Sequence, residues 1–390
     1  MKYNFDEIIP RRGTNCVKWD ECPDPEMLPL WVADMDFQAA PCIRRALQRR
    51  LDHGVFGYAL VPESYYEAVI QWFSRRHGWT MQRDHILYTT GVVPAIAAIL
   101  RALTIPSEKV LMLTPIYNCF YSNIRNAGCQ LLASPLIYEN NTYRIDFDDF
   151  ERKASEENVR VFLLCNPHNP AGRVWTREEL TRLGEICLRH GIFVLSDEIH
   201  CELMMPGHHY TPFASISPEF ARDSAVCTSP SKNFNIAGLQ IANITVADPI
   251  LRSRINRAIN LHETCDVNPF GIEALQAAYS EEGEEWLVQL LDYLHGNYEY
   301  LCNFFGEHMP QLVVTRLEGT YLAWVDCAAL GLSSVDLEQE LQAKAHVWFT
   351  NGQAYNPSGS TFLRINLACP RAILAEALAR FAKFVNSLTL

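Results

Sequence analysis

Five short stretches of this 390-residue chain carry the residue types that chemistry on a small polar substrate would need. Thr89-Thr90-Gly91-Val92-Val93-Pro94 turns from a β-type segment into an apolar helical run. The backbone N–H groups at such a helix start, aligned with the macrodipole, bind phosphate without a lysine, or they simply cap the helix. Thr114-Pro115-Ile116-Tyr117 sets an aromatic ring at a strand mouth, where it either stacks on a flat ligand or packs in the core. In Asn166-Pro167-His168-Asn169-Pro170-Ala171-Gly172 two Asn-Pro steps predict an extended loop that leaves Asn169 free to donate a hydrogen bond; the plainer alternative is a rigid turn. Ser196-Asp197-Glu198-Ile199-His200 places a carboxylate where an apolar strand emerges, a position that serves a ligand or caps the next element. Lys232 follows a run of hydroxyls, Thr228-Ser229-Pro230-Ser231, and is either a catalytic amine or a solvated surface charge.

The elements around these stretches are legible from hydrophobic period. Tyr65, Ala68, Val69, Trp72 and Phe73 recur at helical spacing after Pro62, and His77-Gly78 ends the run. The β-rich run Val159 to Cys165 leads into the Asn166 loop, Thr176 and Glu179 form a capping box, and a second apolar run, Ile192 to Leu195, follows Gly191. Strand, loop, helix, strand predicts a βαβ unit with parallel strands and a right-handed crossover. Past Pro269 a helical region, roughly Phe270 to Phe305, leads into β-like segments at Tyr321 to Val325 and Thr361 to Ile365, the texture of a smaller α+β domain. The expected organisation is a segment 1–45 packing back on the small domain, a large α/β domain 46–282 and a small domain 283–390.

Composition bounds the partners. With 48% hydrophobic and 20% charged residues the chain can bury a large core, which excludes disordered and fibrous classes. A formal net charge of −12 repels phosphate backbones and anionic lipid, so neither nucleic acid nor membrane is expected as a partner. Thirteen cysteines, an odd number without C-x-x-C spacing, read as reduced thiols. The polar stretch Met1 to Arg12 has no apolar core of a signal peptide and no run reaches the ~20 apolar residues of a membrane span, so a cytoplasmic location is expected and the sequon at Asn140 carries no meaning. G-x-G-x-x-G, the P-loop, H-E-x-x-H and G-x-S-x-G are all absent, which removes the main support for a dehydrogenase, an NTPase, a zincin or a serine hydrolase, and no metal is expected.

The five stretches are separated by 26, 52, 28 and 35 residues from Gly91 to Tyr117, Asn169, Asp197 and Lys232. In this order and spacing the chain resembles the fold type I pyridoxal-phosphate enzymes, the aspartate aminotransferase superfamily, over essentially its whole length. Pro29 to Phe37, His53 to Tyr58, Asp197 to His200 and Arg364 to Pro370 look more narrowly like the MalY/PatB cystathionine β-lyase group. The resemblance implies an α/β, pyridoxal-phosphate-dependent transferase-like fold: a mostly parallel seven-stranded sheet flanked by helices, plus the smaller α+β domain. It implies a homodimer and pyridoxal 5'-phosphate as cofactor.

Residue by residue, the resemblance makes Lys232 the cofactor's covalent anchor and the base for the Cα proton. Asp197 pairs with the pyridine nitrogen, Asn169 donates to the phenolic oxygen, and Tyr117 stacks on the ring. Thr90, Gly91, Val92, Ser229 and Ser231 fall at the phosphate, and Tyr58 matches a tyrosine that reaches the neighbouring subunit's site. Arg364 matches the arginine that grips the substrate carboxylate, with Tyr58 and Tyr117 also at the substrate. Two positions depart from the aminotransferase pattern: Gln240 stands where a phosphate-binding arginine is usual, and His200 where a tyrosine commonly meets the phenolic oxygen. The implied activity is α,β-elimination of L-cystathionine or related L-cysteine S-conjugates to pyruvate, ammonia and a thiol. An aminotransferase and a catalytically idle regulatory scaffold of the same fold are the alternatives.

Overall fold

A computed structural model of the protein describes residues 3–261 and 267–388. Met1 and Lys2 of the expected N-terminal segment, Cys265, and the last two residues of the expected small domain lie outside the described residues. The twelve described cysteines form no disulfide, and no described helix is long and apolar enough to cross a membrane.

The large domain is built on seven strands: β1 (Ile86–Thr89), β2 (Lys109–Thr114), β3 (Gln130–Pro135), β4 (Val159–Cys165), β5 (Phe193–Asp197), β6 (Ser224–Thr228) and β7 (Ala242–Thr245). They lie side by side in the order β1-β7-β6-β5-β4-β2-β3. Only β7 runs against its neighbours, so the six parallel strands open their carboxyl ends along one edge. Expected and observed agree closest in the βαβ unit: β4 and β5 are parallel and the helix Arg177–Arg189 joins them. Its capping box is present in both halves, Glu179 N donating to Thr176 Oγ1 (3.1 Å) and Thr176 N to Glu179 Oε2 (2.9 Å).

The smaller sheet is antiparallel, β8 (Val313–Val314), β9 (Leu322–Asp326), β10 (Thr350–Asn351) and β11 (Phe362–Asn366), ordered β8-β9-β11-β10. The helical region past Pro269 is two helices, Pro269–Ala278 and Glu281–His308. The break is local chemistry: Ser280 leaves the helix and its hydroxyl accepts from Gly283 N at 3.2 Å, capping the second helix. That 28-residue helix runs across both domains, since Trp286, Leu290 and Leu294 bury in the large-domain core and Leu301 and Phe305 in the small-domain core. The segment before residue 45 also serves both. Leu28–Pro29 pairs with Val347–Trp348 while Phe5, Met35 and Phe37 bury against the large domain.

Candidate active site

Each of the five stretches leaves the carboxyl end of a parallel strand, which is why residues far apart in sequence share one sheet edge. Thr90 and Gly91 follow β1, Tyr117 follows β2, Asn169 follows β4, Asp197 ends β5 and Lys232 follows β6. The antiparallel β7 brings its amino end, Gln240-Ile241, to the same edge. These residues line one cavity of about 200 Å³, with Val92, Ser231, His200 and Ala33 among the other residues of its walls.

The helix Val92–Leu103 presents its amino end to the cavity. Val92, Ala95, Ile96, Ile99 and Leu100 are buried along one face, and at roughly 1.5–3 kcal/mol for each large aliphatic side chain that face holds the helix against the sheet. Ala95 N is already bonded to Gly91 O at 3.0 Å and Pro94 has no N–H, so the donors left in the first turn are those of Val92 and Val93. Asn169 sits in a turn, where an extended loop was expected: both Asn-Pro bonds are cis, and His168 N and Gly172 N close the loop on Arg173 O and His168 O, each at 2.8 Å. Gly172 adopts φ +70, and an added Cβ would lie 2.8 Å from Leu317 Cδ1. Its carbonyl accepts from Glu318 N (2.8 Å) and Gly319 N (3.1 Å), which stitches the loop to the small domain.

Lys232 is half-buried, and its Nζ donates to Ala33 O at 2.6 Å. Burial depresses its pKa; Asp34 and Asp197 act the other way and Arg364 adds to the depression. Asp197 is pushed up to about 7 by burial, with the Ile199 N–H on Oδ1 (3.1 Å) and the Lys232 charge only partly opposing it. A cationic ring nitrogen is the partner such a buried carboxylate calls for. His200 is driven down to about 3 by burial and by the positive charge of Lys232 and Arg364, so it is neutral, and its Nδ1 has no hydrogen-bond partner.

Arg364 enters from β11. Nη2 donates to Trp31 O (2.9 Å), Nη1 to Asn169 Oδ1 (3.2 Å), and the guanidinium lies 4.8 Å from the centre of the Tyr355 ring. Its Nε is buried without an acceptor. An orphaned guanidinium N–H beside the cavity fits a carboxylate that is to arrive.

Three residues expected at the site stand apart from the cavity wall. Arg364 lies just behind Asn169. Ser229 is turned to another use: its Oγ donates to Ile241 O (2.6 Å) and accepts from Ser231 N (3.0 Å), so it shapes the turn that presents Ser231 and Lys232. Tyr58 is 99% exposed on the chain between the helices Pro41–His53 and Glu63–His77, and reaches nothing in its own subunit's cavity. Sequence reasoning assigned no role to Ala33, Trp31 or Tyr355. The first two lie in a stretch singled out only as a group marker; no signal pointed to Tyr355.

Residues 25–381 match the aminotransferase class I and II family. The chain is 41% identical over 381 residues to cystathionine beta-lyase PatB of Bacillus subtilis (strain 168), covering 97% of this chain and 98% of that one. This protein belongs to the aminotransferase class I and II family, in its PatB/MalY-like cystathionine β-lyase group. Two solved structures of pyridoxal-phosphate enzymes share the fold. Cystalysin from Treponema denticola, containing pyridoxal 5'-phosphate, superposes with a TM-score of 0.96 at 34% identity over 100% of both chains. The pyridoxal-phosphate-bound C-S lyase from Staphylococcus hominis superposes with 0.92 at 33% identity, over 99% of this chain and 98% of that one.

Proposed function

We propose that this protein is a pyridoxal-phosphate-dependent carbon–sulfur β-lyase that cleaves L-cystathionine or a related L-cysteine S-conjugate to pyruvate, ammonia and a thiol. The observation that carries the reading is the meeting of a half-buried amine of lowered pKa, Lys232, and a buried acid, Asp197, in one cavity of a chain from the lyase group.

Pyridoxal phosphate, when bound, supplies the sink for the electron pair left at Cα. Lys232 would hold it covalently, and its Nζ, whose pKa burial lowers, would take the Cα proton. Asp197 balances the charge on the ring nitrogen. The Val92 and Val93 N–H groups with the Thr90 and Ser231 hydroxyls would hold the phosphate, and Gln240 in the cavity wall adds no positive charge there. Tyr117, in the cavity wall, would cover the ring face. With its carbonyl oxygen taken by Arg364, Asn169 would donate to the phenolic oxygen through its amide nitrogen. Arg364, whose Nε is buried without an acceptor, would grip the substrate carboxylate and hold Cα near Lys232, and the sulfur leaving Cβ would take the bonding pair. Neutral His200 keeps a second cation away from Lys232.

Pyruvate release from cystathionine, cystine and other S-substituted cysteines by the purified protein with added pyridoxal phosphate tests the reading; absence of pyruvate across the panel defeats it. The family match keeps transamination as the second reading, and conversion of 2-oxoglutarate to glutamate without pyruvate would select it. A protein that stays colourless after cofactor addition would select the idle scaffold. Arg364→Lys keeps the charge and loses the fork, so kcat/KM should fall ~10-fold or more for one charge-assisted bond of ~1.5–3 kcal/mol. Full activity in that variant would show that the carboxylate is held elsewhere.

Tyr58 stands on an exposed stretch with Val55, Phe56 and Leu60, an apolar surface that calls for cover. The cover is a second copy of the chain, and Tyr58 then reaches the partner's phosphate. Tyr58→Phe should weaken cofactor binding by ~10-fold, the loss of one hydrogen bond to a charged group, with the dimer intact in sedimentation. A monomeric parent protein, or unchanged cofactor affinity, removes the role.

A further inference from the structure

Between the two domains the strip Trp31 to Asp36 offers its backbone to both halves of the site. Trp31 O accepts from Arg364 Nη2 (2.9 Å), Ala33 O from Lys232 Nζ (2.6 Å) and Tyr321 OH (3.0 Å), and Val32 O and Asp34 O from Asn366 Nδ2 (2.6 Å each). Carbonyls this short from a catalytic amine and a substrate-binding guanidinium set where those groups sit. Nothing regular holds the strip: it belongs to no helix or strand.

Bonds from Asn366, Asn235 and Thr350 and from Asp36 N to Ala368 O fix it along its length, and a buried charge cluster fixes its end. Asp36 Oδ2 pairs with Lys18 Nζ at 2.7 Å; Asp36 Oδ1 accepts from Arg11 Nη1 (2.6 Å) and Trp19 Nε1 (2.8 Å). Arg11 Nη2 also pairs with Asp34 Oδ2 at 2.7 Å, and Lys18 Nζ lies 3.5 Å from Asp34 Oδ1. The Lys18 side chain has no exposure, rare for a lysine, and only the paired carboxylates make that burial tolerable. The four charges sum to zero, with Asp34 next to Ala33 in the chain, and Asp34 is the carboxylate that most favours the charged form of Lys232.

We propose that Lys18 and Arg11 are positioning residues: by clamping Asp34 and Asp36 they fix the carbonyl strip against Lys232 and Arg364 and hold the local charge at zero, which sets the proton affinity of the Lys232 nitrogen. The other groups facing that nitrogen are Asp197 from β5, Arg364 from β11 and Cys119 after β2, with neutral His200 and Tyr321 alongside; none of them is a member of the clamp, and of these Arg364 shares the strip's carbonyls. The inference rests on Lys232 carrying the cofactor.

The test is the pH midpoint of the visible absorbance change of the cofactor-loaded protein, with KM and kcat measured separately and melting of the cofactor-free protein followed in parallel. Lys18→Met leaves one uncompensated negative charge and should raise the midpoint by ~0.5 pH unit or more. Asp36→Asn leaves one positive charge and should lower it by a similar amount, and the double variant should return to within ~0.2 of the parent. KM for the amino acid should rise more than kcat falls in Lys18→Met, because Arg364 loses its fixed acceptor. If Lys18→Met does not fold, Arg11→Gln, at a side chain 20% exposed, carries the same expected sign. Lower melting temperatures with midpoints unmoved or moved in one common direction would overturn the clamp. A parent protein without a visible band or a borohydride-reducible adduct on Lys232 would instead overturn the carrier reading beneath it.

Discussion

Lys232→Ala should lose turnover by at least ~10⁴-fold while the protein keeps its fold. A general base alone is worth about 10²–10⁴, and here the covalent anchor disappears with it. The structure adds a second arm. Lys232→Arg retains a positive charge beside Ala33 O and Asp197, but a guanidinium neither condenses with an aldehyde nor gives up its proton at working pH. Both variants should therefore fail alike in pyruvate release and in borohydride-reducible adduct, with circular dichroism unchanged. Turnover in Lys232→Arg above a hundredth of the parent would remove Lys232 from the covalent role.

Asp197→Asn should move activity and stability in opposite directions. Losing one partner of a buried charge pair costs ~3–5 kcal/mol, so turnover should fall by about 10²–10⁴. The cofactor-free protein should gain. The carboxyl rises from its usual 3.8 to about 7 on folding, so between those values the folded chain holds a proton that the unfolded chain has released. That stability is fully present below about pH 4 and is lost as pH rises through 7. An amide has no such proton to lose. Melting of the cofactor-free proteins should find the variant more stable than the parent above pH 7, with the gap closing towards pH 4. Glu198, also raised to about 7 by burial, is present in both proteins and cancels from the comparison. Equal melting curves at all pH values would mean that Asp197 is solvated rather than buried.

Much of this site was legible because its parts are local. A capping box declares a helix start through two side chains three residues apart, and the Val92–Leu103 helix follows from its apolar period. A carboxylate at the end of β5 and a lysine after β6 read as ligand-facing because parallel strands send their carboxyl ends to one edge. At Asn166 to Gly172 the sequence leaves an extended loop and a rigid turn open, because two Asn-Pro steps favour extended backbone locally; the turn is decided by the bond from His168 N to Arg173 O and those from Glu318 N and Gly319 N to Gly172 O. Ser229 shows the same limit, for a hydroxyl's type says nothing of which acceptor lies nearest.

The amino-acid sequence by itself determined the kinds of chemistry available, the strand–helix alternation that gathers them, and membership of the lyase group. Tertiary structure alone decided that the carbonyls of Trp31 and Ala33 meet Arg364 and Lys232, that one helix spans both domains, and that Tyr58 faces outward. Every residue carries the same carbonyl, so a backbone acceptor has no signature in sequence. Its position comes from contacts such as Lys18 with Asp36 and Asn366 with Val32, made between segments whose proximity exists only once the chain has folded.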